Sequence, residues 1–144
     1  MRWAINSILL VLVIVLLNCK NRSEDISDIS GTWYYIFKDS IYGEVILTKN
    51  ILWEYSEEAG TWSSIYFFDE DSLMIKNSGF KFKLERKGKD EFTLINRRFK
   101  THYYRLKIPI DTVGLLNDSE ESLDSYVRGW RERKYNWEHS KGNS

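Results

Sequence analysis

The chain predicts an all-β domain: an antiparallel up-and-down meander of about eight strands, forming a barrel or half-barrel, completed by one C-terminal helix. Three observations predict it. Between Thr32 and Ile108 apolar and polar residues alternate over short runs, which is the period of half-buried strands. The runs are joined mostly by connections of hairpin length. Beyond Asp118 the period lengthens, and Leu123, Tyr126, Val127, Trp130, Lys134 and Trp137 fall on one helical stripe.

Ahead of the strands, Arg2 and the α-amine form a positive region, Ile8 to Leu17 an unbroken apolar run, and Asn18-Cys19 stands where a signal peptidase would cut. Ten apolar residues make a helix about 15 Å long, roughly half of a ~30 Å hydrocarbon core, too short to anchor by spanning. Leu16-Leu17-Asn18-Cys19 resembles the lipobox of bacterial lipoproteins, departing from it at Asn18, where Gly, Ala or Ser is usual. The resemblance implies that residues 1–18 are removed, that the Cys19 thiol receives a diacylglycerol and the new N-terminus an acyl chain, and that the membrane is a partner through Cys19. It also implies a lipid-anchored location in the cell envelope, with Lys20 in the place where outer-membrane-directed members lack an acidic residue. The alternative is an ordinary secretory signal followed by a free thiol. Each buried CH₂ contributes ~0.8 kcal/mol, so several acyl chains make a stable tether. Residues 19–28 are polar and aperiodic past the cysteine, the composition of a solvated linker.

The strands follow in order. Thr32 to Lys38 places Trp33, Tyr35 and Phe37 on one face. Tyr42 to Thr48 and Ile51 to Ser56 are joined across Lys49-Asn50, a tight turn that Asn suits through its tolerance of positive φ. Ile51, Trp53 and Tyr55 then share a face, and Thr61 to Phe68 is apolar on both sides. Asp69-Glu70-Asp71 reads as a solvated turn, because a calcium loop needs further oxygen ligands in register. Ser72 to Lys76, Phe80 to Glu85, Glu91 to Asn96 and Phe99 to Ile108 complete the series, and Pro109 ends the pairing. Asp118 with Glu121 three residues on has the form of a capping box that opens the helix. The domain is expected over residues 29–137, with 138–144 a disordered tail.

Without residues 1–18 the chain has enough length for one domain with its own core, and no cysteine beyond Cys19 to form a disulfide. Charge is uneven: net −8 from Glu24 to Gly79, +7 from Phe80 to Ile108 and −2 from Pro109 onward. In a secreted chain nucleic acid is not the partner this suggests. Adjacent strands of a closed sheet would let the two halves neutralise each other.

Gly31-Thr32-Trp33, opening the first strand of an eight-strand meander with a C-terminal helix, resembles the lipocalins, especially short bacterial lipocalin-like lipoproteins. The resemblance covers residues 29–137 and implies a barrel whose closed end is crossed by Trp33, with Arg105 as the arginine stacked on it. The Thr-Asp-Tyr motif of that family is absent. Trp33, Tyr35, Trp53, Tyr55, Tyr66 and Phe82 are the candidate ligand-lining or core aromatics. His102 and His139 stand too far apart to suggest a pair, no nucleophile, phosphate-loop or metal-cluster motif is present, and Glu44, Glu54 and Glu85 fall at outward or ambiguous positions. No cofactor, metal or enzymatic activity is therefore expected. Two functions remain: a carrier of a small apolar ligand, or an envelope interaction protein that docks on a protein partner through strands 80–108.

Overall fold

The computed structural model describes residues 28–38 and 40–140. The expected signal segment, the lipidation site Cys19, all of the linker but Asp28, and residues 141–144 of the expected tail lie outside the described residues. Eight strands form one closed antiparallel barrel in chain order: β1 (Gly31–Phe37), β2 (Ile41–Leu47), β3 (Ile51–Ser56), β4 (Gly60–Asp69), β5 (Ser72–Ile75), β6 (Lys81–Arg86), β7 (Glu91–Ile95) and β8 (Lys100–Arg105). The ring closes between the two ends of the meander, where Trp33 lies opposite Arg105 and Tyr35 opposite Tyr103.

Two details differ from expectation. The β2–β3 turn does not use positive φ at Asn50; it is closed by Thr48, whose amide donates to the Ile51 carbonyl at 2.9 Å and whose hydroxyl accepts from the Ile51 amide at 3.1 Å. The last strand ends at Arg105 rather than Ile108. After one more bond, from the Leu106 amide to the Thr32 carbonyl, the chain leaves the sheet toward the helices.

Alternation along each strand separates two cores. The interior face packs Ile29, Trp33, Val45, Tyr66, Leu73 and Phe92 among others, with Trp33 and Phe92 meeting edge to face at 4.6 Å. The second core lies outside the barrel, where Tyr42, Ile46 and Trp53 meet Leu115, Tyr126 and Trp130 of the helices. Its rings cross at near right angles, Trp53 with Tyr126 at 5.0 Å and Tyr55 with Trp130 at 5.0 Å, a geometry that aromatic quadrupoles favour.

The chain after β8 forms a short helix, α1 (Thr112–Leu116), that the sequence pattern does not announce, then α2 (Glu120–Ser140). Asp111 caps α1, accepting from the Gly114 amide at 3.0 Å and from the Ser122 hydroxyl at 2.9 Å, which ties the two helices together. The cap of α2 is Ser119, not Asp118: its oxygens accept from the amides of Leu123 and Ser122, while Asp118 adopts φ 55° in the turn between the helices. Helix α2 runs on to Ser140, past the expected boundary at residue 137. Among the described residues no helix is long and apolar enough to cross a membrane.

What fastens α2 is Glu44. It points outward from β2, yet is fully buried beneath the helix. Arg133 grips both carboxylate oxygens, at 2.7 and 2.8 Å, and the hydroxyls of Tyr42 and Tyr126 donate one bond each at 2.6 Å. Gly129 makes room for this, since a Cβ there would fall 2.7 Å from the Arg133 guanidinium. The ~1 kcal/mol that glycine costs a helix interior is thus offset by a helix-to-barrel clamp.

Candidate binding site in the barrel mouth

An up-and-down meander places alternate hairpins at opposite ends, and the two ends of this barrel differ in chemistry. At one, Trp33 crosses the interior and its indole N–H donates to the Ile29 carbonyl at 2.9 Å. The Arg105 guanidinium lies 3.9 Å over that ring and donates to the Ser30 carbonyl at 2.8 Å. A Cβ on Gly31, whose φ is 131°, would collide with this guanidinium, so the glycine is required by the stacked arginine. This end is shut.

The opposite end is open. The turns β1–β2, β3–β4 and β7–β8 frame a cavity of about 370 Å³, lined by Tyr35, Phe37, Glu54, Ser56, Phe82, Phe99 and Tyr103 among others. That volume is within the range of small-molecule sites. Aromatic contacts hold the wall: Tyr103 stacks on Phe92 with ring centroids 4.7 Å apart, Tyr35 tilts against Tyr103 at 5.4 Å, and Phe37 meets Phe99 at 5.7 Å.

Two carboxylates line this cavity, and Glu54 is the one bonded to another lining residue. Glu54 shares the interior face of β3 with Leu52 and Ser56, and its Oε1 accepts a hydrogen bond from the Tyr35 hydroxyl. Tyr35 gets there by lying flat over Gly43, its cross-strand neighbour, where any Cβ would penetrate the phenol ring. Three adjacent strands therefore build the pair: the ring from β1, the gap from β2 and the acid from β3. Burial pushes the Glu54 carboxyl above the usual range, the bond from Tyr35 working in the opposite direction. Burial, and next the neighbouring Glu54, raise the phenols of Tyr35 and Tyr103 well above theirs. Among the described residues no Lys, Arg or His lines the cavity, whereas Glu58 joins Glu54 there.

The structure sorts the candidate aromatics into three places. Tyr35 and Phe82 line the mouth. Trp33 and Tyr66 belong to the filled part of the interior, where the Tyr66 hydroxyl donates to the Thr48 carbonyl and its pKa is pushed to about 12 by burial, then by Asp28. Trp53 and Tyr55 do not face the interior: they are core residues of the outer cluster, beneath α2. This placement has a counterpart in the acids. Glu54, placed by its polarity at an outward or ambiguous position, is the inward residue, because a helix covers the other face of β3 and both faces are buried. Glu85 is on the outside, paired with Lys83 at 2.9 Å, and His102 is outside too, 3.0 Å from the Thr93 hydroxyl.

A second depression of about 540 Å³ lies beside the helices, lined by Pro109, Asp111, Ser122, Tyr126 and Arg133 among others. Several of its polar groups are already engaged, Asp111 in capping α1 and Arg133 in holding Glu44. The mouth, where a carboxylate oxygen faces open space, is the better site. Comparison of the chain with protein-family models, curated proteins and solved structures finds no match.

Proposed function

We propose that this chain is a non-enzymatic carrier, a lipid-anchored protein of the cell envelope whose lipocalin-like barrel holds a small, largely apolar ligand in its mouth. The observation that carries the reading is the cavity: preformed, concave, walled by Tyr35, Phe37, Phe82, Phe99 and Tyr103, and supplied with only a few polar groups. The closed end supports it, since Trp33 under Arg105, opened by Gly31, matches the arrangement that the lipocalin resemblance implies. The anchor rests on Leu16-Leu17-Asn18-Cys19 and the linker after it.

Native mass spectrometry of the full chain extracted from membranes, followed by unfolding, tests both parts. A mass above that of the processed polypeptide that survives unfolding reports acylation of Cys19 and disappears in Cys19→Ser. A further mass that is released on unfolding reports the ligand. A chain that carries nothing and takes up nothing from an added lipid extract would overturn the carrier reading.

One observation favours a second reading. Ile65 and Phe67 on the outer face of β4 are 42% and 49% exposed, and across β5 the row of Phe67 continues through Met74 to Lys81, itself paired with Asp69. Such a face would suit an envelope protein as docking partner. A photo-crosslinker in place of Phe67 that captures no reproducible partner in whole cells would remove it.

A further inference from the structure

The carrier reading leaves the ligand's chemistry open, and the polar content of the mouth narrows it. Glu54 is a partly buried carboxylate with a free valence: Tyr35 occupies Oε1, and among the described residues no donor reaches Oε2. Glu58 stands further out on the same wall, and among the described residues no cationic side chain shares the cavity. An ionised carboxylate withdrawn from water is costly unless something positive and hydrogen-bonding compensates it. Elsewhere the molecule supplies its own compensation, as when Arg133 and two tyrosines enclose Glu44. Here it supplies one phenol and an open space bounded by aromatic rings, whose faces also attract cations.

From this geometry, and resting on the carrier reading, we propose that the mouth selects an apolar amine: a ligand whose hydrocarbon part lies against Phe37, Phe82, Phe99 and Tyr103, and whose ammonium group donates to Glu54 at the base. Glu58 reinforces the potential near the rim. Fatty acids and other apolar anions are disfavoured at the same place, since two carboxylates line it and no cationic side chain among the described residues does; the Lys38 ammonium lies 5.1 Å from the centroid of the Phe37 ring.

The test compares three probes that share one chain and differ in head group: octylamine, octanol and octanoate. Each is titrated by calorimetry near neutral pH into the full chain kept in solution by an amphipathic polymer, with the polymer alone as blank. A hydrogen bond to a charged group is the stronger kind, so octylamine is expected to bind at least about tenfold more tightly than octanol, with octanoate weakest. Glu54→Gln keeps the shape and can still accept from Tyr35. It is expected to bring octylamine down to the affinity of octanol, whose own binding stays as it was. Equal binding of the three probes, or an amine preference that persists in Glu54→Gln, would overturn the amine assignment and leave the carrier reading standing. Failure of all three to bind the unaltered chain would overturn both.

Discussion

Glu54 shows how far one residue's environment can depart from its neighbourhood in sequence. It sits between Trp53 and Tyr55, and the alternation of β3 puts the aromatic pair on one face, as ligand-lining or core residues, and the acid on the other, at an outward or ambiguous position. The structure turns the acid inward and lays the aromatic pair under α2. Periodicity reports that adjacent residues point in opposite directions; which direction is buried is decided by what covers each face, and here α2 covers the outside of β3. The inversion has a measurable consequence for pH dependence. Glu54 is faced by Tyr35 and Tyr103, whose raised phenols stay neutral in the working range, and by Glu58, a second acid. Its folded-state pKa lies above the unfolded one, so its stabilising contribution is complete below the ordinary glutamate range and is lost as pH rises through the folded value. Glu54→Gln removes that loss. The variant is expected to be more stable than the unaltered chain near neutral pH, with the difference shrinking as pH falls below the ordinary glutamate range. Urea unfolding at several pH values reads this out, and identical pH profiles for the two proteins would refute it.

Among the elements, α2 was the most legible and its attachment the least. Leu123, Tyr126, Val127, Trp130 and Trp137 do form the face that packs, as helical spacing requires. The partner of Arg133 was hidden, because Glu44 is eighty-nine residues away and sits in a strand where it reads as an ordinary outward acid. Likewise α1 has only five residues, too few for a period to show. The clamp also makes α2 sensitive at a single position. Removing Arg133 would leave a fully buried carboxylate with two phenols and no cation, and breaking a buried pair in this way typically costs about 3–5 kcal/mol. Arg133→Ala is expected to lose stability on that scale in chemical denaturation. Arg133→Lys should recover only part of it, since an ammonium cannot reproduce the two parallel bonds of the guanidinium. Full recovery by lysine would mean that charge alone, rather than the forked geometry, holds the helix.

For the molecule as a whole, the meander was readable because every connection is local and each strand carries its own alternation. Closure was not, since it depends on the register between the first and last strands, Trp33 against Arg105. Nor was the division of the aromatics into two cores, one inside the barrel and one outside. That division implies that the barrel is incomplete without its helix. Stripped of α2, the outer faces of β1, β2 and β3 would present Tyr34, Tyr42, Ile46, Trp53 and Tyr55 as one contiguous apolar surface of a kind that monomers rarely expose. A chain ending after Asn117 is therefore expected to lose near-ultraviolet circular dichroism, to bind hydrophobic dyes and to self-associate. The interior core alone cannot prevent this, because β1, β2 and β3, whose outer faces would be laid bare, are also three of the strands that build it. A monomeric truncated chain with an undiminished aromatic signal would show instead that barrel and helix fold as separable units.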